Sequence, residues 1–131
     1  MAAYNTQAGA TLAVFRAKVA ITRGCLVRVD TVDEEVDLPG ATNDAGCIGY
    51  ATHDAAIGEP LTVHLSGGVA CAVAGGTIAI GDYLTSNSTT GAVSKVTLGA
   101  SNQYVYGKAL RAAASGDLFA VIPLNFIAQG A

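Results

Sequence analysis

The phrase AAIGEPLTV at residues 55–63 returns as AASGDLFAV at residues 113–121. A shift of 58 sets Gly49 on Gly107, Ala51 on Ala109, Ala55 and Ala56 on Ala113 and Ala114, Gly58 on Gly116, Glu59 on Asp117 and Val63 on Val121. A shift of 57 sets ITRGCLV, residues 21–27, on IAIGDYL, residues 78–84. Two unlike copies are too few for a solenoid, so the repeat predicts two similar halves packed as one body. The half-repeats run over about residues 18–66 and 75–124. In each repeated turn the Ala pair keeps the chain thin, and Gly58 or Gly116 supplies backbone freedom at the reversal. Glu59 or Asp117 can accept hydrogen bonds from turn amides. The repeat therefore reads as one structural turn used twice.

What lies between the turns is of strand type. CLVRVD alternates, with Cys25, Val27 and Val29 on one face and Leu26, Arg28 and Asp30 on the other. CIGYATH, LTVHL, VACAV, YLTS, AVSKV, YVYGKALR and LFAVIPL are short runs bounded by Gly, Pro, Asn, Asp or Ser. Many short strands so punctuated predict an all-β fold, a compact β-sandwich or small barrel. ALRAAAS, residues 109–115, has room for one helical turn at most. Residues 1–17 read as an extended N-terminal arm, with Leu12, Val14 and Arg16 on one face and Ala13 and Phe15 on the other. Such an arm can add to a sheet, its own or another chain's. Residues 18–131 then form the single β domain, and deletion of residues 2–17 is expected to leave that core folded.

The totals exclude several functions. A chain of 131 residues has room for one domain with one core. Hydrophobic content is 51% and charged content 13%, so apolar surface left over from a small core points to a partner interface. A net charge of −3 with no basic stripe argues against nucleic acid. Cys25, Cys47 and Cys71 are odd in number and lack C-x-x-C spacing, which reads as reduced, buried thiols in a protein made in the cytoplasm. The N-terminus has no basic region followed by a long apolar run, so no signal peptide is expected. Residues 60–81 carry no Asp, Glu, Lys or Arg, but His64, Ser66 and two Gly-Gly pairs cut them into strand lengths. A spanning helix needs about 20 unbroken apolar residues, so no membrane partner is expected.

Chemistry-bearing residues do not assemble into a motif. His53-Asp54, His64 and Ser66 lack a nucleophile-elbow pattern, and His53, His64 and a Cys match no zinc spacing. His64 reads as a solvent-facing or hydrogen-bonded residue opposite Val63. Asp30, Asp33, Glu34, Glu35 and Asp37 lack the alternating oxygens and central Gly of a calcium loop and read as a solvated acidic hairpin tip. Asn87-Ser88-Thr89 reads as a polar turn, and GGTIAIG is followed by no Gly-Lys-Ser/Thr of a phosphate loop. No catalytic, metal or cofactor site is expected.

One resemblance covers about residues 18–124. The order TRGCLV, a Gly-x-Ala strand with HDAAIGEPLTV, IAIGDYLTSNSTTGAV and GKALRAAASGDLFAVIPL resembles the small bacteriophage capsid decoration, or cement, proteins. The resemblance implies a compact β domain and a homotrimer on the outer capsid surface of the virion. Its partners would be the major capsid protein and itself, with no small-molecule substrate, and the arm would reach the shell. The acidic loop at residues 30–37 and the tail NFIAQGA depart from the family's usual look. Candidate capsid or subunit contacts are Tyr4, Leu12, Val14 and Phe15 on the arm, with Phe126 and Ile127 as a second apolar contact. A competing reading is a small carbohydrate- or ligand-binding module of a phage tail or fibre. It rests on Tyr50, Tyr83, Tyr104 and Tyr106, of which Tyr104 and Tyr106 share a strand face, and core or interface packing explains them equally well. A hydrolase built on His53 or His64 ranks last, because no nucleophile, base and orienting group occur together.

Overall fold

The computed structural model describes residues 9–97, 99 and 102–129. They form an all-β fold with no helix among the described residues, ALRAAAS included. Ten strands follow in order: β1 (Thr11–Ala17), β2 (Leu26–Val29), β3 (Glu35–Asp37), β4 (Cys47–Ala51), β5 (Pro60–Ser66), β6 (Ala70–Val73), β7 (Tyr83–Ser86), β8 (Val93–Lys95), β9 (Gln103–Ala109) and β10 (Leu118–Ala128). The N-terminal five close a barrel in the order β1-β3-β2-β4-β5, and the C-terminal five form a sheet in the order β6-β10-β9-β7-β8.

Strand for strand these are the same arrangement. The antiparallel pair Val29↔Val36 recurs as Ser86↔Val93, and Leu26↔Tyr50 as Tyr83↔Lys108. The parallel contact Ala17↔Val36 that closes the barrel recurs as the bridge Ala74↔Val93. Counterparts lie 57 apart up to Val36 and Val93 and 58 apart from Tyr50 and Lys108, so the extra residue sits between β8 and β9. The repeat thus begins earlier than the sequence indicated. Thr11–Ala17, read as part of an arm, is barrel strand β1 and the counterpart of β6; it pairs with β5 from Thr11↔Ser66 to Arg16↔Pro60. The boundary at residues 17/18 falls inside the barrel.

The repeated turns explain their own sequence. Gly58 and Gly116 adopt φ of +82° and +90°, where a Cβ is strained, while open space surrounds both. Their amides donate to Ala17 and Ala74 carbonyls at 2.7 and 2.8 Å. Glu59 accepts from the Ala56 amide at 2.7 Å, and Asp117 from the Ala114 amide at 3.0 Å. Because only φ demands glycine here, Gly58→Ala and Gly116→Ala are each expected to cost about 1–2 kcal/mol. Equal shifts in urea midpoint for the two would support the shared turn; a neutral result for either would contradict it.

Each half has its own core. Ala17, Ile21, Val27, Val36, Leu61 and Val63 fill the barrel. Their counterparts Ala74, Ile78, Leu84, Val93, Phe119 and Val121 fill the C-terminal sheet, joined there by Leu26, Cys47 and Tyr50 from the other half. A loop also ties the halves together. Asn43, left-handed at φ +58°, donates its amide to Ser86 O at 3.0 Å and accepts from the Tyr104 amide at 2.7 Å. Its Nδ2 donates to Asn102 O at 2.9 Å.

Candidate interaction surface

The two halves expose different things at equivalent positions. Across β2, β4 and β5 the register aligns Leu26, Tyr50 and His64 in one outward-pointing row. Outward residues of a small barrel normally meet solvent, yet these are 0%, 1% and 2% exposed: Leu26 and Tyr50 join the core of the C-terminal half, and His64 lies against Gly67 in the connector between the halves. The Tyr50 hydroxyl donates to Tyr106 O at 2.7 Å, and burial pushes this phenol far above its usual range. The Leu26 amide donates to Gly91 O at 2.8 Å. The counterpart row on β7, β9 and β10 is Tyr83, Lys108 and Ile122, and among the described residues it stays open: Tyr83 is 44% and Ile122 37% exposed.

Around this open row the surface is apolar. Tyr83 meets Phe126 edge-on, with ring centroids 5.7 Å apart, and the Lys108 ammonium lies 5.4 Å from the Tyr83 ring. Tyr83, Phe126, Val105 and Lys95 line an open hollow of about 340 Å³. Ile80, in the turn before β7, is 72% exposed. A second hollow of about 260 Å³ lies on the barrel, lined by Val14, Phe15, Arg16, Glu34, Gly58 and Pro60.

The residues proposed from sequence fall as follows. Leu12 and Val14 lie on the outer face of β1, and Phe15 is half-buried against the barrel core. Phe126 and Ile127 are exposed on a stretch of β10 that continues past Leu124, the counterpart of Ser66, and pairs with Val105 and Tyr104. β1 and β10 belong to different sheets, so these two groups are not strand neighbours. Tyr4 lies outside the described residues. Lys108, Ile122 and Ile80 were missed, and Tyr83 was named only for the ligand reading: the repeat aligns Tyr83, Lys108, Ile122 and Ile80 with Leu26, Tyr50, His64 and Arg23, but alignment alone does not tell which copy of a face is covered.

Three of the four tyrosines follow the core-packing alternative. Tyr50 and Tyr106 are buried, Tyr104 packs against the same core, and the Tyr106 hydroxyl donates to Asp44 O at 2.5 Å. Of the four, only Tyr83 is exposed. The histidines hold backbone. His53 Nε2 accepts from the Thr62 amide at 3.1 Å, which makes Nδ1 the donor to Asp54 O at 2.9 Å. His64 Nε2 lies 2.5 Å from Gly67 O. The acidic tip is not simply solvated: Lys18 reaches Asp30 at 3.3 Å and Asp37 at 3.9 Å, and Arg16 reaches Glu35 at 3.3 Å. The Asp30 carboxyl is held below the usual range first by the Thr31 backbone and then by Lys18, against an opposing effect of burial. No group of three or more His, Cys, Asp or Glu suited to a metal occurs among the described residues, and no described helix is long and apolar enough to cross a membrane.

The cysteines are free. Burial pushes the Cys47 thiol up to about 12, so it stays protonated and unreactive at neutral pH. Cys25 is buried, whereas Cys71 is half-exposed with Arg23 Nη2 at 3.5 Å. Ellman's reagent is therefore expected to titrate one thiol per native chain and three after denaturation. Cys71→Ser should abolish the native signal; a native signal that survives would place the reactive thiol elsewhere.

A family model described as phage cement protein matches residues 5–124. No curated protein matches the chain. Among solved structures, the head fiber N base in bacteriophage phi29 is similar, with a TM-score of 0.65 and 20% identity, covering 88% of this chain and 94% of that one. At that identity the likeness speaks for the fold.

Proposed function

The chain belongs to the phage cement protein family, whose members are structural virion proteins, and we propose that it binds the outer surface of the assembled capsid as a homotrimer. It acts by binding alone: a protein that binds the assembled shell and not its separated parts stabilises the shell by mass action. The observation that carries this reading is the family match over residues 5–124. The surface described above supports it, since the β body displays the large apolar side chains Leu12, Val14, Phe126 and Ile127 at its surface. These four are the proposed contacts with the major capsid protein or a neighbouring copy.

The test is co-sedimentation of the purified protein with expanded, undecorated heads of its own phage, counting copies bound per head. Saturation at three copies per local three-fold site is the expected result. Absence of binding by a folded chain would overturn the proposal. It would favour the small-ligand reading, which retains one feature, the hollow beside Tyr83 and Phe126.

A further inference from the structure

We infer that the contact between the two halves of one chain is repeated between chains, with the C-terminal half of one copy docking on the N-terminal half of the next, head to tail. The inference rests on the proposed self-association and assigns its surfaces.

The intramolecular contact supplies the pattern. Residues 23–26 of the N-terminal half are received by four residues of the C-terminal half. Arg23 Nη2 lies 3.5 Å from Cys71 Sγ, the Val73 amide donates to Gly24 O at 3.2 Å, and the Leu26 amide donates to Gly91 O at 2.8 Å. Leu118 packs so close to Gly24 that an added Cβ would lie 2.5 Å from its Cδ2. The residues that receive 23–26 are not their repeat counterparts, so the contact joins two different surfaces. A contact of that kind leaves each surface's counterpart unused, and copies joined through it close into a ring or run on as a filament.

Among the described residues both unused counterparts are open. Residues 23–26 correspond to residues 80–83, and Ile80 and Tyr83 are exposed. Cys71, Val73, Gly91 and Leu118 correspond to Val14, Arg16, Glu34 and Pro60, four of the six residues that line the 260 Å³ hollow on the barrel. The substitutions between the copies are mutually consistent. The Arg23–Cys71 pair is replaced by Ile80 and Val14, apolar on both sides and 72% and 63% exposed. Each surface carries both signs, Lys95 and Asp82 on the one and Glu34 and Arg16 on the other, so each offers a partner to the other's charges. Gly81 keeps φ +88° with open space where a Cβ would be, as Gly24 keeps φ +89° under Leu118. The occupant that fits is therefore a second copy of this chain, and three copies closing a ring would set six half-repeats around one axis.

The experiment measures solution mass by light scattering for the wild type, Ile80→Asp, Val14→Asp and an equimolar mixture of the two variants. Both positions are exposed, and circular dichroism of each variant verifies the fold. Expected are a three-chain mass for the wild type and a one-chain mass for each variant. The mixture should give a two-chain mass, because it retains one intact pair of surfaces, Ile80 from one variant and Val14 from the other. A wild type that is trimeric together with trimeric variants would overturn the inference and leave the homotrimer standing. Monomeric variants that form no dimer on mixing would overturn the head-to-tail arrangement. A wild type that stays monomeric at high concentration would overturn the homotrimer and the inference together.

Discussion

Deletion of residues 2–17 is expected to abolish folding of the N-terminal half, whereas deletion of residues 2–8 leaves the fold intact. β1 is a stave of the closed barrel: it pairs with β5 over Leu12–Arg16 and with β3 through Arg16 and Ala17. Hydrogen bonds from the Arg16 amide to Glu34 O and from the Lys18 amide to Val36 O, 2.7 and 2.9 Å, close the ring. Without β1 the edges of β3 and β5 are unpaired, and Val36, Leu61 and Val63, each 0% exposed, lose a wall. Exposing side chains of that size costs about 1.5–3 kcal/mol apiece, so three together approach the whole stability of a small domain. A thermal melt followed by circular dichroism should show no cooperative transition for the longer deletion and a wild-type transition for the shorter one. A cooperative, native-like melt after removal of residues 2–17 would refute the role of β1. The comparison also governs how capsid binding is tested: loss of binding by the long deletion would report unfolding, while the short one isolates the segment that carries Tyr4.

Much of this architecture is legible in the sequence because it rests on local geometry. A turn that needs φ near +85° writes a glycine, and a turn whose amides need an acceptor writes Glu59 or Asp117 two copies running. What the sequence left open depends on partners distant along the chain. The alternation in Thr11–Ala17 marks a strand, but its parallel pairing with β3 joins residues 19 apart, Arg16 and Glu35, and no local signal specifies that. Arg16 and Lys18 likewise reach the acidic tip only because β1 closes the barrel beside it. Leu26 and Tyr83 share a repeat position and a strand face; one is buried and one is open because Leu26 joins the core of the second half. For the same reason Tyr104 and Tyr106, which alternation places on one face, turn out to face the core rather than a ligand.

Gly49→Ala is expected to destabilise the protein by about 3 kcal/mol, the upper part of the usual range for forcing an extra methyl into a packed interior. Gly49 and Gly107 are repeat counterparts, and both lie where a strand passes close to its neighbour's carbonyl, His64 O in one half and Ile122 O in the other. At residue 49 an added Cβ would sit 2.3 Å from His64 O and 3.0 Å from the carbonyl carbon. That oxygen is backbone, held in the β4–β5 ladder by the Tyr50↔His64 pair, and cannot move without parting the strands. At residue 107 the backbone contact is looser, 3.2 Å, and the tight contact is with the Tyr50 hydroxyl at 2.6 Å. Gly107→Ala therefore displaces a side-chain atom and breaks the Tyr50–Tyr106 hydrogen bond, a loss of about 1 kcal/mol added to the crowding. The two glycines then respond differently to Tyr50→Phe. Removing the hydroxyl should relieve Gly107→Ala, making the double variant more stable than the sum of the single changes, and should leave Gly49→Ala unrelieved. Urea denaturation of the two double-mutant cycles measures both couplings. A near-wild-type midpoint for Gly49→Ala, or additive behaviour of Gly107→Ala with Tyr50→Phe, would show that these glycines are not fixed by close approach.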